Sequence, residues 1–405
     1  MGIIIGIGQT KPQVPYDEFY GIEWDVTVSN PKAKRIGKLE LHASLPIQSL
    51  MRRCVLRDNG EVAYYLDAND STKKEGGAPA KLDGTDGQVM VEIPAFFVKF
   101  ETEGNKRRCL MSLHALPGFI KWEKLYISAY EASIKSGEKK LSSISIDGEL
   151  PASSFSLSEA RTMARSRGSV SWNCYTYQAH KELFWLFAVE YATFNSQDAF
   201  NASLDGSGYR QGGLGAGVSD VTAWRSFGNT PIVKCGVTNH LGNNTGIVKV
   251  QLTQTVATNA PSYRGVENPF GHIGKIIDGV KMATIGGATG FYAYSSPRDY
   301  GAPGIASCRL IANASVINGY VRTIHFGDNG DITPESIGGS SSTYFCDMVD
   351  LSSGEGNGAE FTMSAGGSAS VGAGAGAGAG LASFYSRNAA NLKYSHQGTR
   401  LCYLP

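Results

Sequence analysis

Apolar and polar residues alternate along much of the first third of the chain, and a period of two predicts strands. Trp24-Asp25-Val26-Thr27-Val28 alternates, and Lys38-Leu39-Glu40-Leu41-His42 alternates again. Asp58-Asn59-Gly60 is a turn signal between Cys54-Val55-Leu56 and Val62-Ala63-Tyr64-Tyr65-Leu66, which predicts a hairpin. Val89–Ile93 reads as another strand, and Pro94 separates it from Phe96–Phe100. Residues 21–115 are therefore expected to form a small β-rich domain. Residues 1–20 show no periodicity and read as an arm or attachment segment.

The period then changes. Ser156 and Glu159 have the spacing of a capping box that opens a helix over 157–167, with Gly168 as its stop. A second helix is expected over 176–194, where Ala179, Leu183, Leu186, Phe187, Glu190, Tyr191 and Phe194 recur at helical spacing. Beyond Asn195 the pattern predicts only short strands, at Ile247–Leu252, Arg309–Ala312 and Tyr320–Phe326, between Gly/Asn/Ser loops. Long loops inside a domain usually carry function. Gly372–Gly380 alternates Gly and Ala. With only a short apolar ending after it, Leu401-Cys402-Tyr403-Leu404, the run is expected to lie as a loop over the surface, not to link two domains.

Composition sharpens this picture in two places. The 50 glycines are about 12% of the chain, against about 7% on average, which fits many tight turns. A formal net charge of +1 lacks the basic stripe that duplex nucleic acid requires, so nucleic acid is not an expected partner. The seven cysteines are widely spaced with no CxxC pair, and are expected to be reduced thiols packed as small hydrophobes. The opening Met1-Gly2-Ile3-Ile4-Ile5 has no basic leader region, and no stretch approaches the length of a membrane span, so no membrane insertion is expected.

Catalytic patterns do not emerge. HExxH, GxSxG and the phosphate-binding GxxxxGK[ST] are absent from the sequence. Asp67-Ala68-Asn69-Asp70-Ser71 begins like a calcium loop, but Thr72 replaces the required glycine and Ala78 the bidentate glutamate. The histidines are dispersed, and the His272–Asp278 neighbourhood contains no nucleophile. No enzymatic activity, cofactor or metal is expected.

Several segments carry a family resemblance. Val189-Glu190-Tyr191-Ala192 at the end of the second helix resembles a motif of formylglycine-generating-enzyme-type C-type-lectin domains. Phe270–Gly279 is similar to that family's Gly-Asn-Val-Trp-Glu-Trp stretch, without its tryptophans, and Gly398-Thr399-Arg400-Leu401-Cys402 is similar to its closing strand. Two helices followed by short strands and long loops is also the order of that fold. The resemblance implies an α+β chain with a C-type-lectin fold over residues 116–405, beside the small amino-terminal β-rich domain. Its first and last strands should pair. Within the superfamily, Asn195-Ser196-Gln197, Gly208–Gly213 and Tyr263–Pro269 resemble the variable proteins of diversity-generating retroelements, including phage tail-fibre proteins of gut bacteria.

That resemblance implies a virion protein, assembled in the host cytoplasm and working outside it, that recognises a bacterial cell-surface protein or glycan. It also implies docking to a phage tail or baseplate protein through the amino-terminal region, and a possible homotrimer. The recognition surface would be a diversified segment at 364–398. Its expected contact residues are Ser368, Ser370, Ser383, Tyr385, Arg387, Asn388, Asn391, Lys393, Tyr394 and His396, with Phe384, Ala389, Ala390 and Leu392 anchoring the backbone. Tyr and Arg supply binding energy and Ser and Asn adaptable hydrogen bonds. Two other readings stay open: a bacterial lectin-like variable protein used by the cell itself, and a formylglycine-generating-type oxidase. The oxidase requires a cysteine pair near its carboxy-terminal motif, and residues 364–398 contain no cysteine.

Overall fold

Strand outweighs helix, 38% to 12%, so the chain is mostly β-sheet with few helices, and the sheet structure curls into a half-barrel. The computed structural model describes residues 18–198, 201–214, 227–228, 230–352, 360–368, 376–389 and 391–405; for 201–203, 211 and 387–389 it describes the backbone alone. Nearly all of the expected arm lies outside the described residues. Tyr20 does not belong to an arm: it is fully buried and opens the first strand.

Three sheets carry the architecture. The first orders Lys34–Gly37, Tyr20–Asp25, Lys106–Ser112, Phe96–Glu103 and Ile120–Trp122, all antiparallel. The second orders Trp172–Cys174, Leu401–Tyr403, Leu125–Ser128, Gln88–Ile93, Arg52–Leu56 and Val62–Tyr65. The third has nine strands and is centred on Gly274–Ile285, Glu360–Ala365 and Phe384–Ala389. The expected hairpin forms, with Val55 opposite Tyr64 and Gly60 in the left-handed region at φ 85°. A Cβ on Gly60 would collide with the Tyr403 ring, so the turn requires glycine for space as well as for conformation.

The boundary expected near residue 115 does not separate two cores. Gln88–Ile93 pairs with Leu125–Ser128, which pairs in turn with Leu401–Tyr403. One continuous apolar cluster runs from Tyr20 to Cys402. The turn at Asp58 is also held from the far side: its carbonyl accepts from Trp172 Nε1 at 2.8 Å and its carboxylate from Arg167 at 2.8 Å. Residues 21–115 cannot close their own sheet edge, so they share the sheet of the later residues. The last strand pairs with Leu125–Ser128, Ile127 opposite Cys402, while Ile120–Trp122, the first strand after residue 116, pairs with Phe96–Glu103 instead.

The alternation at Lys38–His42 forms a short helix, α1 (Leu39–Ser44), and not a strand. Gly37, at φ 82°, turns the chain out of the preceding strand, and Leu39 remains 49% exposed. The leucines therefore never made an in–out pattern, and a five-residue window carries too little periodicity to decide. Helix α2 (Leu157–Arg165) has the expected capping box, with Ser156 Oγ accepting from Glu159 N and Glu159 returning to Ser156 N.

Helix α3 (Tyr177–Tyr191) is buried along 14 of its 15 residues. Trp185 sits within an aromatic cluster formed by Trp24, Phe100 and Phe326 from three other segments, at ring separations of 5.7, 5.5 and 5.5 Å. His180 is neutral, its pKa pushed down to about 3 by burial. With Nε2 donating to Leu381 O at 2.9 Å, Nδ1 is left to accept from the Tyr175 hydroxyl at 3.2 Å.

The Gly/Ala run does not lie over the surface. Residues 372–375 fall outside the described residues, but in the short turn Gly376–Gly378 both glycines are buried, with Ala377 exposed between them, and Ala379 and Leu381 are fully buried. A Cβ on Gly380 would strike the Asp347 carboxylate, and one on Gly378 the Met348 side chain. The small residues let the backbone enter the interior. Gly380→Ala should therefore destabilise the fold by about 1–3 kcal/mol, measured as a lowered urea midpoint.

Six cysteines are buried and Cys308 is half-buried, and burial raises the thiol pKa at every one. Under native conditions a thiol reagent should label Cys308 first and reach the other six only on unfolding. Mass mapping of the labelled peptides checks this.

Candidate carboxy-terminal recognition face

The segment expected to form the recognition face is divided between core and surface. Glu360–Ala365 lies between Gly274–Ile285 and Phe384–Ala389, and the latter also pairs in parallel with Met348–Leu351. Phe384 is buried, its ring edge-on to His180 at 5.6 Å, and Leu401 is fully buried, both as expected.

Ser383 is not a contact residue. It is buried, with Oγ donating to Met348 O at 2.8 Å, because the chain here has just left the packed Gly/Ala turn. Tyr385 is half-buried and stands in register with Ser364 and Asp350. Ser368 is half-buried. Ser370 and Ala390 lie outside the described residues, as do the side chains of Arg387, Asn388 and Ala389. Leu392, expected to anchor the backbone, is 45% exposed.

The remaining expected residues come together in one loop, 391–396. Asn391 and Lys393 are exposed, and Tyr394 and His396 are half-buried with ring centroids 5.3 Å apart. Partial burial lowers the His396 pKa. The loop is pinned at both ends. Upstream it leaves the central strand of the large sheet; downstream, Gln397–Gly398 runs parallel to Gly274–Lys275 and leads into the closing strand. Its middle is tied to helix α2: the Tyr394 carbonyl accepts from Ser154 N, and Lys393 Nζ meets Glu159 Oε1 at 2.6 Å. Lys393 first, then the Ser156 contacts, hold the Glu159 carboxyl down at about 2.

Behind Asn391 lies a recess of about 270 Å³ walled by Leu157, Ser158 and Arg161 of α2, by Asp278 and Lys281, and by Glu360–Thr362. Two ion pairs set its charge. Arg161 grips Asp278 through two bonds of 2.6 and 2.9 Å, and Lys281 meets Glu360 at 2.7 Å. Burial alone would lower the Arg161 pKa, but the Asp278 contact outweighs it and leaves the guanidinium above its ordinary value. Both pairs are internally neutralised. The recess therefore offers a ligand hydrogen-bonding groups: the Asn391 amide, the Ser158 hydroxyl, and Thr362 Oγ1, which has no hydrogen-bond partner among the described residues.

Beneath the face, Glu131 is buried between His272, at 2.5 Å, and Lys275, at 2.7 Å. His272 Nε2 accepts from Ile232 N and Val233 N, so Nδ1 carries the proton toward Glu131. Lys275 and His272 overcome burial and hold the Glu131 carboxyl below its ordinary range, while burial lowers the Lys275 pKa. His272 and Asp278, neighbours in sequence, thus serve separate networks.

Sequence reasoning missed Arg161, Lys281 and Glu360. Arg161 and Asp278 are 117 residues apart, and no local pattern marks a partner at that distance. Among the described residues no group of three or more His, Cys, Asp or Glu side chains converges as a metal site, and no helix is long and apolar enough to cross a membrane. No protein-family model matches the chain, and no curated protein matches its sequence.

Arg161→Leu should lower stability by about 3–5 kcal/mol in urea unfolding, because it leaves the buried Asp278 carboxylate unpaired. Adding Asp278→Asn should recover part of that loss, a coupling that a double-mutant cycle would read directly.

Proposed function

We propose that the chain is a recognition protein of the phage receptor-binding or tail-fibre type, with a C-type-lectin-like scaffold that displays its carboxy-terminal segment toward a bacterial surface. The observation that carries this reading is the 391–396 loop. It combines an amide, an ammonium, a phenol and an imidazole on a short span, and well-packed strands hold both ends. Side chains displayed on a rigid support lose little conformational freedom when they bind, which favours affinity. The pairing of the strand near 127 with the strand near 402 supports the lectin-like scaffold, and helices α2 and α3 preceding the long loops support it further.

On this reading the Asn391 recess receives a polar group of the ligand, while Tyr394 and Lys393 contact its periphery.

Fluorescently labelled protein should adsorb to some members of a panel of gut-bacterial isolates. The combined variant Asn391→Ala/Lys393→Ala/Tyr394→Ala should lose that adsorption while its thermal melt and circular dichroism stay native. A folded variant that still adsorbs at the original level would move the recognition face elsewhere on the molecule.

A further inference from the structure

A second cleft, separate from the 391–396 loop, has a floor that the fold itself does not account for. It measures about 450 Å³, within the range of about 300–1,000 Å³ typical of small-ligand sites. The turn Ile120–Leu125 forms one wall, Tyr294 to Tyr300 another, and α3 the floor, through Gln178, Lys181 and Glu182.

Glu182 is the anomaly. Its side chain is 1% exposed, and Oε1 accepts from Gln178 Nε2 at 2.8 Å, but Oε2 has no hydrogen-bond partner among the described residues. A buried polar atom left unmatched costs about 1–3 kcal/mol, so an unmatched carboxyl oxygen lining a cleft suggests an external partner. Burial raises the Glu182 pKa to about 8, which leaves it a neutral acid at neutral pH. In that form it both donates and accepts, the pairing that sugar hydroxyls make.

The remaining groups narrow the ligand class. Lys121, Lys124 and Arg309 stand around the cleft; Lys121 is paired with Glu123 at 2.8 Å and Arg309 with the buried Asp331 at 2.8 Å. Lys181 adds a buried ammonium that already bonds to Asn329 O and lies 3.8 Å from Asp331. With those two pairs neutralised, the Lys124 and Lys181 ammoniums remain in excess, which disfavours a cationic ligand and favours an anionic one. Tyr294, half-buried, and Tyr300, buried with its ring against Gly279, add aromatic carbon to the wall for the apolar face of a small cyclic ligand.

We propose that this cleft binds a sugar ring bearing an acidic substituent, of the uronate type, with the hydroxyls on Glu182 and the carboxylate toward Arg309 and the two lysines. An acidic peptide side chain would satisfy the cations but would leave the donor–acceptor pair of Glu182 unused. The site does not depend on the 391–396 loop being a recognition face.

The pH dependence has a definite sign. The groups near Glu182 are Lys181 and Gln178 on its own helix, Cys402 on the closing strand and the rim charges named above. Glu182 gains its charge as pH rises through about 8, and an ionised Glu182 repels an anionic sugar; burial also lowers the Lys181 pKa, so loss of that ammonium at higher pH acts in the same direction. Stability follows the same group: the unfolded carboxyl ionises near 4.5 and the folded one near 8, so stability falls as pH rises between them. Glu182→Gln removes this dependence while keeping a donor and an acceptor.

Titration calorimetry of the full chain with glucuronic acid oligomers tests the site, with glucose oligomers and an aspartate-rich peptide as comparisons. Glucuronate should bind at least about tenfold more tightly than glucose. Arg309→Ala, and independently Lys121→Ala/Lys124→Ala on the exposed rim, should each weaken it by about fivefold or more. Between about pH 6 and about pH 9 the wild type should lose affinity, whereas Glu182→Gln, verified as folded by its melt, should lose clearly less. Equal binding of glucose, tighter binding of the peptide, no glucuronate binding, or an unchanged affinity in the rim variant would each overturn the proposal.

Discussion

Helix α3 is buried along 14 of its 15 residues, and the rest of the structure is organised around that constraint. A helix buried along nearly its whole length cannot leave polar groups to water, so every neighbouring segment must supply partners. Gln48 Nε2 reaches the Leu186 carbonyl, Arg264 and Arg210 converge on Glu190, Asp331 lies near Lys181, and His180 bonds to Leu381 O. These partners come from the amino-terminal turn at Gln48–Leu50, from the long loops and from the residue that follows the Gly/Ala run. A chain with this helix at its centre cannot divide into two independent halves near residue 115.

The same constraint explains why the carboxy-terminal segment is only partly a surface. Residues 376–384 are drawn inward to meet α3 and Asp347, which places Ser383 and Phe384 in the interior. The chain reaches solvent at 391–396, and it turns back at once into the sheet through Gln397 and Arg400. Arg400 is fully buried and donates to the carbonyls of Ser128, Glu267 and Asn268. The exposed loop is short because both of its ends are structural.

What could be read from sequence was what is local. The Ser156–Glu159 cap, the spacing along α3, the hairpin at Asp58–Gly60 and the apolar strands near 90 and 98 each rest on residues within a few positions of one another. What could not be read depends on distant partners. Leu39 and Leu41 look like a strand until Gly37 turns the chain. Ser383 looks like a contact residue until Met348 is placed beside it, and the Gly/Ala run looks like a surface loop until Asp347 and Met348 fill the space a side chain would need. The recess at Asn391 was half legible, because its loop is contiguous while Arg161, Asp278, Lys281 and Glu360 are brought together only by folding.

The insertion of Leu401–Tyr403 between Trp172–Cys174 and Leu125–Ser128 has a consequence for how the chain acquires its structure. Arg400 and Ser128 are 272 positions apart, so Trp172–Cys174 and Leu125–Ser128 remain unbridged until the chain has been synthesised as far as Leu401–Tyr403. Contacts of such long range are slow to form, since loop-closure entropy must be overcome before any bond compensates for it. On the ribosome, the hairpin at Asp58–Gly60 and helix α2 can form early, but the second sheet has to wait with an open seam. During that wait the unpaired edges of Leu125–Ser128 and Trp172–Cys174 are exposed to pairing with other chains, which makes the interval before closure the time of greatest aggregation risk.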